Sequence, residues 1–237
     1  MKARGILSLA IVAALVLALG VAAATPQNVS VSKLPGPQTQ PAITVDPRND
    51  RVLLAGSNSI EEGTMRIYMS GDGGGTWETT LAHERPAKLL DSCSSDPGVA
   101  IDRQGRQYYS YVRAVPCRSD APQRVYVLVR AGPDEAWSKP ILVAPLGRAR
   151  VDDKPAIAVD NSPVSRFRGR VYLTWARIER SVSISIGLSH SDDGGKTWSK
   201  PVKVNTTGSE LSYASVAVAR NGTVYVAWDD VGEFSLH

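Results

Sequence analysis

Four short segments of the chain alternate large apolar residues with small ones. They are Gln40-Pro41-Ala42-Ile43-Thr44-Val45-Asp46, Asp96-Pro97-Gly98-Val99-Ala100-Ile101-Asp102, Lys154-Pro155-Ala156-Ile157-Ala158-Val159-Asp160 and Tyr213-Ala214-Ser215-Val216-Ala217-Val218-Ala219. A period of two is the period of a strand, and the small partners predict strands packed closely on both faces. Successive copies are offset by 56, 58 and 59 residues, so the pattern is an internal repeat. A second strand follows each copy: Val52-Leu53-Leu54, Tyr108-Tyr109-Ser110-Tyr111, Val171-Tyr172-Leu173-Thr174-Trp175 and Val224-Tyr225-Val226-Ala227-Trp228. Gln104-Gly105 and Asn221-Gly222 supply hairpin turns between first and second strands.

A further hairpin ends each of the first three units. Arg66-Ile67-Tyr68-Met69 leads into a Gly-rich loop closed by Trp77, and Ser183-Ile184-Ser185-Ile186-Gly187-Leu188 leads into one closed by Trp198. Between them, Val125-Tyr126-Val127-Leu128-Val129 leads into a worn copy ending at Trp137. The three Trp are 60 and 61 residues apart. Four strands in about 60 residues, with no helical period, predict all-β propeller blades. The expected blades cover about 38–88, 89–147 and 148–208, with an incomplete fourth at 209–237 and a linker or strand at 25–37.

The loops carry a resemblance. Ser70, Asp72, Gly74, Thr76 and Trp77 match Ser-x-Asp-x-Gly-x-Thr-Trp, and so do Ser191, Asp193, Gly195, Thr197 and Trp198. This resembles the Asp-box, or BNR repeat, of the sialidase superfamily. The resemblance implies a sialidase-type propeller of six blades, of which this chain holds about three and a half. It also implies boxes that are structural and lie opposite the active face. Their chemistry agrees. The Asp carboxylate can accept loop N–H groups, Gly permits positive φ, and Trp covers the hairpin base. A calcium loop would need six or more oxygen ligands, and neither box has an alternating carboxylate series. Three and a half blades leave strand edges open. A fragment of a longer product, or a ring closed by a second copy, would account for that count; self-association through the open edges is an expected property.

In a propeller the inner strands begin at the mouth of the central channel. The positions just before them, Gln40, Asp96, Lys154 and Tyr213, are polar and differ between blades, whereas the strand residues after them repeat. Asp91, Arg148, Arg150, Asp152, Asp153 and Glu210 are neighbours in sequence. Carboxylates, cations and a phenol converging on one mouth suit an acidic or polyhydroxyl ligand, a glycan or another polar small molecule; a solvated rim of local ion pairs is the competing reading. The resemblance implies a catalytic set of three Arg, an Asp acid/base and a Tyr nucleophile activated by Glu, an exception among glycosidases. Onto it only Asp96 as acid/base and Tyr213 with Glu210 can be mapped. The Arg-Ile-Pro element that the resemblance would place in the first blade is missing; Arg66-Ile67 falls on a mid-blade strand. The functional expectation is therefore an exported carbohydrate-directed protein, a glycoside hydrolase of exo-α-sialidase type in its complete form. The alternative is a non-catalytic binding or scaffold propeller.

The N-terminus bears on compartment. Lys2 and Arg4 precede an apolar run from Ile6 to Leu19, and Ala22-Ala23-Ala24 supplies a small-residue cleavage site. That order reads as a secretory signal peptide over residues 1–24; the competing reading is an uncleaved anchor. Cleavage would leave 213 residues and, with Lys2 and Arg4 gone, lower the formal charge from +4 to +2. No membrane partner is expected after cleavage, and the product would be secreted, periplasmic or cell-surface. Export permits a disulfide. Facing residues of a hairpin turning near Gln104-Gly105 have position numbers summing to about 209, which predicts Cys93 opposite Cys117. Scattered Lys and Arg give no nucleic-acid stripe. His83, His190 and His237 lack metal-ligand spacing, so neither metal nor cofactor is expected. Asn28, Asn205 and Asn221 fit the glycosylation pattern, and His190 is expected in a turn.

Overall fold

The computed structural model describes residues 28–82, 93–118, 120–145, 151–179, 183–206 and 211–230, and all its regular structure is strand. The expected signal segment lies outside these residues. No helix among them is long and apolar enough to cross a membrane. β1 (Gln38–Asp46), β2 (Asn49–Ser59), β3 (Thr64–Ser70) and β4 (Glu78–Leu81) form an antiparallel meander in that order. The next unit is β5 (Cys93–Ile101), β6 (Gln107–Ala114), β7 (Gln123–Arg130) and β8 (Ile141–Leu142). The third is β9 (Val151–Val159), β10 (Val171–Glu179), β11 (Ser183–Ser191) and β12 (Val202–Lys203). β13 (Leu211–Val218) and β14 (Val224–Asp230) pair as the start of a fourth. His190 lies on β11 rather than in a turn, its ring 6.4 Å from that of Tyr172.

The units stack through their faces. Leu54, Met65 and Ile67 of the first pack on Val99, Tyr109 and Leu128 of the second. Tyr108, Val125 and Val127 face the other way, onto Ile157, Leu173 and Trp175 of the third. Ala176 and Ile186 continue onto Leu211, Ala214 and Trp228 of the fourth. The middle strands are therefore buried on both faces, and β6 is buried almost throughout rather than at alternate positions. Fully buried side chains such as Leu54, Ile67, Leu173 and Ile186 each contribute about 1.5–3 kcal/mol. The inner strands lie side by side, β5 against β1 and β9, and β9 against β13. Gly98 is what lets β5 approach β9. A Cβ there would sit 2.5 Å from Ser110 Oγ and 3.2 Å from the Pro155 carbonyl oxygen.

The two complete loop motifs fold alike. Ser70 Oγ and Thr76 N donate to Asp72 Oδ1 at 2.8 and 2.9 Å, and Thr76 Oγ1 donates to Oδ2 at 2.7 Å. Ser191 Oγ, Thr197 N and Thr197 Oγ1 do the same for Asp193 at 2.8, 2.9 and 2.6 Å. Trp77 and Trp198 each donate Nε1 to the carbonyl of the motif Gly, at 3.0 and 3.1 Å. In the worn copy that glycine is lost, and the buried Nε1 of Trp137 has no protein acceptor among the described residues. Hydrogen bonds from Thr76 and Ser70, and from Thr197 and Ser191, hold the Asp72 and Asp193 carboxyls down at about 2.

Cys93 and Cys117 are bridged, but not as facing hairpin residues. β5 and β6 pair Cys93 with Ala114, and Cys117 lies three residues beyond the end of β6. The pairing shifts by one residue between Ser95 and Gly98, which the constant-sum argument omits. Of the three possible glycosylation sites, Asn205 is buried, its Oδ1 accepting from Ile186 N at 2.8 Å, and so has a packing role.

Candidate functional site

Every inner strand carries the same defect at the same place. Two residues oppose one at Gln40-Pro41, Asp96-Pro97, Lys154-Pro155 and Tyr213-Ala214. The first residue of each bulge has positive φ: 51° at Gln40, 59° at Asp96, 50° at Lys154 and 47° at Tyr213. Among the described residues other than glycine, only Lys33 shares that conformation. A non-Gly residue held there is strained, and such strain, like bulges themselves, concentrates where a side chain must be aimed. These four side chains, with the three prolines and Ala214, line one open cavity of about 250 Å³ where the inner strands converge.

A polar network fixes the cavity wall. Lys154 Nζ donates to Asp96 Oδ1 at 2.6 Å, and Ser95 Oγ donates to Asp96 Oδ2 at 2.8 Å. Asp96 N donates to Asn58 Oδ1 at 3.0 Å, while Asn58 Nδ2 donates to Gln40 Oε1. Asn58 thus ties the first bulge to the second. Asp96 is 6% exposed, so its charge is largely desolvated and depends on the lysine. Burial opposes the Lys154 ammonium, but the hydrogen bond and charge of Asp96, with the charge of Asp153, outweigh it and raise its pKa. Asp153 stands beside Asp96. Burial first, then the neighbouring Asp96 carboxylate, push its carboxyl up to about 6. Tyr213 is 60% exposed, with Lys154 Nζ 5.5 Å from its ring centroid.

Asp152 differs from the expectation that it binds ligand. It is fully buried and accepts Arg177 Nε and Nη2 at 2.7 and 3.0 Å and Trp175 Nε1 at 2.8 Å. Alternation along β9 turns it to the sheet face opposite Asp153, into the contact with the second unit. Its role is to hold Trp175 in that contact. Asp91, Arg148, Arg150 and Glu210 lie outside the described residues. Asn58 and Ser95 are the members of the network that sequence reasoning missed. Asn58 lies on β2 opposite Thr39, and a polar residue near a repeat's divergent position was the only sign of it. No cluster of His, Cys, Asp and Glu able to hold a metal occurs among the described residues.

No protein-family model and no curated protein matches the chain. Solved structures do. The chain is similar to the Hadza microbial sialidase Hz136, at 16% identity and a TM-score of 0.66, over 82% of this chain and 42% of that one. It is similar to a mutant of Trypanosoma rangeli sialidase displaying trans-sialidase activity, at 17% identity and 0.57, over 81% and 34%. It is also similar to the Penicillium chrysogenum alpha-L-arabinanase complexed with arabinobiose, at 12% and 0.53, over 83% and 58%. The chain spans less than two thirds of the length of each. The fold is a sialidase-type β-propeller, shared with other propeller glycoside hydrolases.

Proposed function

We propose that the protein is an exported, carbohydrate-directed propeller that takes a glycan at the mouth formed by Gln40, Asp96, Lys154 and Tyr213. The observation that carries this is the convergence of four strained, blade-equivalent and chemically different side chains on one cavity. The neighbours in fold include sialidases and an arabinanase holding arabinobiose, which supports a saccharide ligand. The disulfide fits an extracytoplasmic compartment, in keeping with a signal segment at residues 1–24.

Glycoside hydrolysis is the chemistry proposed for this mouth, with Asp96 as the carboxyl group nearest the ligand, Tyr213 beside it, and Glu210 as the activator of Tyr213. Asp153, beside Asp96, is assigned to the surroundings of the ligand. A second reading, a non-catalytic glycan-binding propeller, is favoured by the Lys154–Asp96 pair. Both oxygens of that carboxylate already accept, from Lys154 Nζ and Ser95 Oγ. Turnover of a panel of fluorogenic glycosides separates the two. Hydrolysis that falls about a hundredfold or more in Asp96→Asn, and also falls in Tyr213→Phe, supports catalysis. Glycan binding without turnover leaves the binding reading, and a folded protein that does neither ends both.

A further inference from the structure

The geometry points to an uncharged, hydroxyl-rich saccharide, rather than an acidic sugar, as the ligand of this mouth. The inference rests on the glycan reading above and specifies the charge of the ligand. Among the described residues, Lys154 is the one cation lining the cavity, and its ammonium is already engaged by Asp96 at 2.6 Å. For an acidic sugar to use Lys154, its carboxylate must displace that of Asp96. Asp96 would then be left buried and unpaired beside Asp153, a second carboxyl group. The incoming anion would face two carboxyl groups with one ammonium between them. A sugar hydroxyl meets no such conflict, because it both donates and accepts. It can donate to Asp96 while accepting from Lys154 and leave the pair intact.

The rest of the wall agrees. Pro41, Pro97 and Pro155 present apolar rings, and Tyr213 presents an exposed aromatic face. Such surfaces suit the C–H face of an uncharged sugar ring.

The test is binding of the purified full chain to an array of neutral glycans and their acidic counterparts, sialylated and uronic, at equal density. Neutral glycans should be retained at least about tenfold better. Asp96→Asn, which frees the Lys154 charge, should move that ratio toward the acidic glycans by about the same factor. Preference of the wild-type protein for acidic glycans overturns the inference and leaves the glycan reading standing. A neutral preference that Asp96→Asn does not change also overturns it, since the pair is then not the selector. A folded protein that retains no glycan ends the glycan reading itself. Should Asp96→Asn fail to fold, salt takes its place. Neutral-glycan binding should hold steady between about 50 and 500 mM salt, and a steep fall overturns the inference.

Discussion

Asp193 and Asp153 are both aspartates, yet their surroundings move them in opposite directions. Asp193 collects Thr197 and Ser191 donors and is held at about 2. Its unfolded value is about 3.9, so its contribution is complete above about pH 4 and is lost as pH falls toward 2. Thermal melts between about pH 5 and 2 should show a slope that Asp193→Asn reduces, and an unchanged slope would contradict the loop's role. Asp153 is raised to about 6 by burial and by Asp96. A folded pKa above the unfolded one stabilises the fold below about pH 4 and loses that contribution as pH rises through about 6. Asp153→Asn should therefore raise the melting temperature at neutral pH and flatten the profile between about pH 4 and 6. A lower melting temperature at neutral pH would show instead that the ionised carboxylate is needed. The Asp-box was readable because its donors lie within four residues of the carboxylate. The environment of Asp152 was not, because Trp175 and Arg177 come from the next strand, 23 and 25 residues on.

Among elements, the β5–β6 hairpin shows what period and spacing can reach. They place the two strands and their turn, and they bring the cysteines to the open end of the hairpin. They miss the residue-level register, because a bulge at Asp96-Pro97 inserts an extra residue into β5. That bulge is written only as a polar residue before proline, and the same signature recurs inside β1 and β9 at Gln40-Pro41 and Lys154-Pro155, rather than just ahead of the strands as the repeat alone suggests. The cross-link itself ties positions 24 residues apart. Closing a loop of that length removes about 3 kcal/mol of unfolded-chain entropy. Replacing both cysteines by serine should lower unfolding stability by about 2–3 kcal/mol in a denaturant titration. Unchanged stability would mean that the loop is already ordered by its neighbours. Gly98 is the sharper probe of inner-strand packing. Gly98→Val must push against the Pro155 backbone, and should cost about 2 kcal/mol or more. Recovery of full stability in that variant would show that β5 and β9 can separate.

At the scale of the molecule, the repeat offsets were the strongest signal, since each blade buries its faces only against the next and the same pattern must recur. The stacking does not close among the described residues. Pro41, Ile43 and Val45 stand exposed along one face of β1, the face turned away from the second unit. Tyr225 is exposed on β14, which among the described strands pairs only with β13. Apolar strips and unpaired strand edges of this kind are sites of association. The chain should associate with itself as concentration rises from about 1 to about 100 µM, read by sedimentation velocity. Replacing Ile43 and Val45 together by lysine places two charges on the strip while leaving the buried Leu54, Met65 and Ile67 contact untouched. That variant should sediment as one species over the same range with an unchanged melting temperature. If the wild-type chain is already a single species throughout, the strip is not adhesive. If the lysine variant still associates, the contact runs through the β14 edge, and Tyr225→Lys becomes the variant that should abolish it.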